Sequence, residues 1–282
     1  MTNDSVKRIL SFRGKLFAKP RFNEYLDFRE SGEYIVLELQ RLYSLTRQAI
    51  QDYDMISDGD RIAVGLSGGK DSLTLLYALA GLRSFYPRKF TLEAITVDLG
   101  NGEFDLARIK ALCERFSVPH VTVSTQIGKI LFEARKEPNP CSLCATLRKG
   151  ALNKAAISDG CNKIAYAHHR DDLIETMMMS LIYEGRFHTF NPKTYLDRSG
   201  LSVIRPLIYA READIIGFAN KYDLPVMKNP CPADGKTKRQ YVKLLTNRIE
   251  KENPGAAKCM FHAILNGAFD ENNPEDGGNY HE

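Results

Sequence analysis

The sequence of 282 residues predicts a doubly wound α/β fold, a parallel sheet with helices on both faces, preceded by a helix and followed by a small helical extension. Three observations predict it. Short β-branched runs alternate with helical stretches through the middle of the chain, the rhythm of parallel strands joined by crossover helices. One apolar run leads directly into the paired glycines Gly68 and Gly69 and then into a helical pattern, as strand-to-helix turns in such sheets do. A composition that is 43% hydrophobic and 26% charged supplies the apolar material for one large domain.

In chain order, Ile35, Val36, Leu39, Leu42, Tyr43, Thr46, Ala49, Ile50 and Tyr53 recur at spacings of three and four, which predicts an amphipathic helix. A turn over 54–60 leads to a strand from Ile62 to Leu66 and a helix from Asp71 to Arg83. A strand over Leu92 to Val97, a helix from Glu103 to Phe116 and a strand over His120 to Val123 follow. A helix from Ala145 to Ser158 precedes a fourth strand, Lys163 to Ala167, and a helix from Asp171 to Tyr183. Beyond Pro206 the spacing is helical, with helices around Ala213 to Tyr222, Tyr241 to Ile249 and Phe261 to Leu265. The expected organisation is a basic segment and helix over 1–54, an α/β domain over 55–210, a helical extension over 211–268 and a disordered acidic tail over 269–282.

No apolar stretch approaches the roughly 20 residues that cross a bilayer, so no membrane partner is expected. The opening MTNDSVKRIL lacks the apolar core of a secretory signal, and a cytoplasmic protein is expected. Six cysteines are too few for a disulfide scaffold, and grouped cysteines in a reducing compartment bind metal or do chemistry. The net charge of +4 is uneven, because the five acidic residues after position 267 leave +9 on the rest. Residues 1–21 hold six Lys or Arg against one acidic residue, and 228–258 hold eight against three. Basic surface raises affinity for phosphate backbones, although most charge runs are solvated faces.

The run Ser67-Gly68-Gly69-Lys70-Asp71-Ser72 lies at the strand-to-helix junction. Backbone N–H groups and the positive end of a helix converge there, which makes a phosphate cradle. The Ser67 and Ser72 hydroxyls donate, and Lys70 supplies charge. The Walker pattern is absent, since Val64 stands where its first glycine would be and Asp71 follows the lysine. A carboxylate at a phosphate site repels phosphate unless a cation bridges them, so Asp71 points to Mg²⁺. This run resembles the pyrophosphate loop of the ATP pyrophosphatases (PP-loop, adenine nucleotide alpha hydrolase-like), which cleave ATP to AMP and pyrophosphate by adenylating a carbonyl oxygen. The resemblance implies an adenylate intermediate and places Asp98 near the nucleotide.

Cys141 and Cys144 form Pro-Cys-Ser-Leu-Cys in a loop before a helix, and Cys231 stands in Asn-Pro-Cys-Pro 87 residues after Cys144. Three thiolates suit either a 4Fe-4S cluster with one open iron or zinc, and spacing alone leaves both open. Cys113 and Cys161 read as core residues. His168-His169-Arg170-Asp171-Asp172 closes the fourth strand and opens a helix, so His168, Asp171 and Asp172 are expected in the same crevice as Ser67. The two aspartates read equally as helix caps or as catalytic carboxylates.

Taken in order, SGGKDS, CSLC followed by Arg148, HHRDD with Glu175 and Thr176, IRPL at 204–207, and the late NPC with Lys238, Arg239 and Gln240 resemble the TtcA family of tRNA thiolases, which make 2-thiocytidine. The likeness covers about residues 35–260. It implies a 4Fe-4S cluster on Cys141, Cys144 and Cys231, ATP and Mg²⁺ at the glycine loop, and tRNA as partner. Sulfur would come from a cysteine desulfurase or free sulfide, and a homodimer is compatible. By the same resemblance Asp171 and Arg148 are catalytic. Relatives that form thiouridine carry Lys at the position of Arg148, and arginine stays protonated, so its role is electrostatic. Adenylation of the pyrimidine C2 oxygen would convert a poor leaving group into AMP, with sulfur then replacing it. A persulfide route, a zinc-containing thiolase and a nucleotide-binding iron–sulfur sensor are the competing readings; lysidine formation gives no reason for three placed cysteines.

Overall fold

The first strand, β1 (Asp60–Gly65), sends Ile62 and Val64 to one side of the sheet and Ala63 to the other, because successive side chains of a strand point to opposite faces. β2 (Phe90–Asp98) repeats this parity, with Leu92 and Ala94 in the larger apolar layer and Ile95 in the smaller. The computed structural model describes residues 39–100, 106–134, 140–227 and 237–267. The basic segment 1–38, the acidic tail from 268 and Cys231 lie outside the described residues, as does the side chain of Cys141. Among the described residues no helix is long and apolar enough to cross a membrane.

Six strands form one sheet in the order β3-β2-β1-β4-β6-β5, where β3 is His120–Ser124, β4 Lys163–Ala165, β5 Lys193–Leu196 and β6 Leu201–Ile204. β1 pairs in parallel with β2 and β4, β2 with β3, and β4 with β6. The chain thus builds outward from β1 to β3 and returns to the other side of β1 for β4. Ligands of doubly wound sheets bind at that reversal, outside the carboxyl ends of the strands. The sheet is mostly parallel, and its edge is not: β5 and β6 form an antiparallel hairpin, with Thr194 opposite Val203. The sequence pattern shows only four strands because two strands of four residues each carry too little periodicity to register.

Six helices cover the larger layer: α1 (Leu39–Asp52), α2 (Lys70–Leu82), α3 (Leu106–Arg115), α5 (Arg170–Met179), α6 (Glu212–Lys221) and α8 (Ala256–Gly267). The smaller layer lies under α4 (Pro140–Ser158), through Leu152 and Ala156. α7 (Lys238–Glu252) packs across α5 and α8 and buries Val242. Cys113 and Cys161 are buried in these layers, and burial pushes both thiols up to about 11. Two elements differ from expectation. α4 begins at Pro140, so the CSLC cysteines occupy its opening turns instead of a preceding loop; proline fits a helix's first turn, where its missing N–H costs nothing. α5 stops at Met179 and widens into a π turn, Ser180–Glu184, closed by Gly185 at φ 66°.

At the amino ends of the strands, away from the crevice, buried Lys163 lies 2.7 Å from Asp60 and donates to the Met55 carbonyl at 2.9 Å. Asn162 donates to the other Asp60 oxygen at 2.8 Å, so the buried charges are satisfied and β1 and β4 are fixed in register.

α1 meets α2 at Gly81, where a Cβ would stand 1.9 Å from the Tyr43 hydroxyl oxygen. Gly81→Ala is expected to lower stability by roughly 1–3 kcal/mol through this overlap, outweighing the helix propensity of alanine. The check is a fall in the urea midpoint with an unchanged m-value.

Candidate functional site

The loop between β1 and α2 is held by its own hydroxyls. Ser67 N–H donates to Ser72 Oγ at 3.2 Å, the two hydroxyls lie 3.2 Å apart, and Ser72 Oγ donates to the Gly69 carbonyl at 3.0 Å. Gly69 is the N-cap of α2 and no side chain caps it, which leaves the helix's positive end to an anion. Gly68 has φ +77°, and a Cβ there would lie 2.9 Å from Met227 Sδ. Only glycine satisfies both limits. Met227 N–H donates to the Gly68 carbonyl at 2.9 Å, so the segment after α6 is fastened to the loop.

Beside the loop opens a cavity of about 360 Å³ at the carboxyl ends of β1, β2 and β4. Ser67 and Ser72 form one wall, Ile95 and Val97 an apolar floor, and Arg148 and Lys149 of α4 stand on a further wall. His168 also lines it. The imidazole lies 4.7 Å from the Phe190 ring, and the Arg205 guanidinium sits 4.8 Å from the centroid of the same ring. Arg205, buried, donates to the Asn191 carbonyl and thereby holds the Phe190 loop, which accounts for the IRPL run. Burial, aided by the Arg205 charge, pushes His168 down to about 3, so at neutral pH it is uncharged. Among the described residues its Nδ1 has no hydrogen-bond partner.

A second, polar cavity of about 260 Å³ adjoins the first, and Asp71 and Asp172 line both. Four helices begin around it: Lys70 opens α2, His169 caps α5, Glu212 opens α6 and Thr237 caps α7. Their positive ends favour the carboxylates gathered there. Lys70 lies 3.0 Å from Asp71 and 3.1 Å from Glu212, and Lys243 lies 2.6 Å from the same Glu212 oxygen. Burial works against the Lys70 charge, yet Asp71 and Glu212 hold the ammonium above its usual range. Burial likewise works against ionised Glu212, and Lys243 and Lys70 hold it below the usual carboxylate range. Arg239 stands 3.5 Å from Glu175 and 3.9 Å from Asp172. Burial first, then the Asp172 charge, pushes Glu175 up to about 7.

The structure brings Ser67, Asp71, Ser72, Arg148, His168 and Asp172 to the larger cavity. Lys70 lies on the polar side of the divide, and Gly68 and Gly69 form the loop itself. Asp171 lines neither cavity: its Oδ2 accepts the Glu212 backbone N–H at 2.8 Å and caps α6 from outside. Asp172 completes a capping box with His169, accepting that residue's N–H at 2.9 Å, and still borders both cavities. Asp98 closes β2 and accepts the Gly100 N–H at 2.9 Å; Ile95 and Val97, one turn of the pleat earlier, line the cavity instead. Cys144 is partly buried at the start of α4, next to cavity-lining Ala145. Among the described residues no three His, Cys, Asp or Glu side chains converge as a metal site. Sequence reasoning missed Glu212 and Met227, which carry no local motif, and Lys149, which a helix-face reading around Arg148 would have suggested.

A family described as the PP-loop domain matches residues 39–248. The chain is 39% identical over 222 residues to the tRNA-cytidine(32) 2-sulfurtransferase of Geobacter metallireducens, covering 78% of this chain and 86% of that protein. It is 36% identical to the tRNA-cytidine(32) 2-sulfurtransferase of Geobacter sulfurreducens, covering 82% and 91%, and 40% identical to that of Aliivibrio fischeri, covering 78% and 73%. Among solved structures, the U34-tRNA thiolase NcsA from Methanococcus maripaludis with its 4Fe-4S cluster is similar, with a TM-score of 0.68 at 26% identity over 83% of this chain and 81% of that one.

Glu175 gives the polar cavity a pH signature. Its folded pKa, about 7, lies above the unfolded value of 4.5, so the protonated form is favoured by folding. That contribution is complete below pH 4.5 and is lost as pH rises through 7. Glu175→Gln is expected to remove this slope and to exceed the wild type in stability at pH 8 by up to about 3 kcal/mol, read from urea unfolding between pH 5 and 8.

Proposed function

The chain belongs to the PP-loop family of tRNA-cytidine(32) 2-sulfurtransferases, and on that footing we propose that it is an ATP-dependent sulfurtransferase that replaces the C2 oxygen of a cytidine in tRNA with sulfur. One observation carries the reading: Arg148, the serines of the glycine loop and the residue after Cys144 line one cavity.

The C2 oxygen is a poor leaving group until it is adenylated. ATP fits with its terminal phosphates at Ser67 to Ser72, where the loop N–H groups and the α2 dipole meet the charge that develops on pyrophosphate. Its base fits the apolar floor of Ile95 and Val97, and His168, neutral and with an unpartnered Nδ1, is suited to hydrogen-bond a ligand there. Lys70 would exchange Glu212 for phosphate oxygens. Asp71 Oδ1 is buried with no hydrogen-bond partner among the described residues, which fits a Mg²⁺ held by one carboxylate together with phosphate oxygens and water. Arg148 and Lys149, which line the same cavity, would meet the α-phosphate and steady the adenylated base. Asp171, by holding the first turn of α6, positions Glu212 and through it Lys70.

A 4Fe-4S cluster on Cys141, Cys144 and Cys231 would supply an iron site able to bind sulfide. What supports it is that Cys144 stands in the opening turns of α4 next to cavity-lining Ala145, and that Met227, four residues before Cys231 in sequence, is anchored on Gly68.

Purified anaerobically and given ATP, Mg²⁺, sulfide and unmodified tRNA, the protein is expected to form 2-thiocytidine, detected by mass spectrometry of nucleosides, with one AMP per base. Lys70→Gln should slow AMP formation by at least about 10²-fold, and Cys144→Ala should abolish thiolation. Thiolation by protein that contains no iron or acid-labile sulfide would overturn the cluster, and thiolation of uridine would overturn the choice of base.

A further inference from the structure

Beyond the two cavities, the end of α5 presents an unusual surface. The π turn and the residues that follow leave Leu181, Ile182, Tyr183 and Phe187 each 43–44% exposed within seven positions. Clustered exposed apolar side chains mark interaction sites. The surface continues onto α7, where Tyr241 and Leu244, one turn apart, are 58% and 60% exposed. Lys238 joins the two segments, its ammonium 5.1 Å from the Tyr183 ring centroid.

Charge distinguishes between occupants. Lys238, Arg239, Lys243, Arg248 and Lys251 share α7 with only two acidic residues, Glu250 and Glu252. Arg239 and Lys243 face the carboxylates of the polar cavity, Arg248 pairs with Glu252 at 2.8 Å and Arg186, beside Phe187, with Glu184 at 2.7 Å, so the helix keeps an excess of positive charge. A second copy would set these like charges against one another, whereas a polyanion with unpaired bases meets both the cations and the ring faces. Position agrees with charge: Thr237, Arg239 and Gln240, which flank Lys238 at the start of α7, line the polar cavity beside the phosphate loop. A pyrimidine C2 buried in a stack is out of reach of any active site, so the target base must be splayed out. Its neighbours then lose their stacking partners and need others.

We propose that Tyr183, Phe187, Lys238 and Tyr241 form the docking surface for the single-stranded loop of the RNA substrate, with unpaired bases stacked on the aromatic rings and the backbone phosphates held by Lys238 and its basic neighbours. The proposal rests on the thiolation reading and specifies where that substrate lies.

The test is the affinity of the full-length protein for an unmodified tRNA transcript, by fluorescence anisotropy at several salt concentrations. Tyr183→Ala and Tyr241→Ala should each weaken binding about tenfold, while the Phe replacements keep it within about twofold, since stacking uses the ring and not the hydroxyl. Lys238→Ala should reduce the salt dependence by about one phosphate contact. ATP affinity should be unchanged in all of them, which also verifies folding, and sedimentation should show an unchanged oligomeric state. Wild-type tRNA affinity in both alanine variants would overturn the docking surface and leave the thiolation reading standing. Weaker RNA binding that accompanies dissociation of a dimer would assign the surface to a second copy and overturn it too. A wild-type protein that binds no tRNA would sink both.

Discussion

Gly68 is the residue on which the site turns. Its positive φ directs the chain from β1 into α2 so that the helix's positive end opens on the crevice, and its carbonyl accepts the N–H of Met227, 159 residues further along the sequence. A side chain at this position would strain the backbone and strike Met227 at once. The phosphate loop and the segment that follows α6 are therefore fastened to one another at this point.

Around that anchor the charges are already balanced. Lys70, Lys243 and Arg239 each lie against carboxylates, namely Asp71 and Glu212, Glu212, and Asp172 and Glu175. The cavity thus holds preorganised cations whose carboxylate partners an anion could replace, without unpaired charge buried beforehand. Glu175, favouring its proton near neutrality, is the carboxylate best able to lose its cation without leaving a buried negative charge behind. The four helix starts that frame the cavity belong to segments far apart in sequence, so the balance exists only in the folded chain.

The motifs were legible because each is local. A strand, two glycines and a helix start make a phosphate cradle, and SGGKDS and HHRDD were found from adjacent residues alone, whereas Arg148 came from the family resemblance. Three features were not legible for a matching reason. Asp171 and Asp172 are neighbours in sequence, yet one caps a helix 41 positions away while the other borders both cavities; the helix turns adjacent side chains about 100° apart, and only the packing of α6 decides which faces the ligand. β5 and β6 are too short to show a period, and their pairing is set by the neighbouring strand β4. Met227 has no signature, because what matters is the space above Gly68.

By itself, then, the order of residues determined the class of fold, the strands at its centre, the phosphate loop and the family resemblance, since these follow from short-range dihedral preferences and from the repeat of apolar positions. Tertiary structure alone decided which of two adjacent carboxylates enters the site, which cations it shares, and that Lys238 of α7 meets the Tyr183 ring of the π turn. Those are distances between remote segments, and such distances are fixed by packing after the chain has closed on itself.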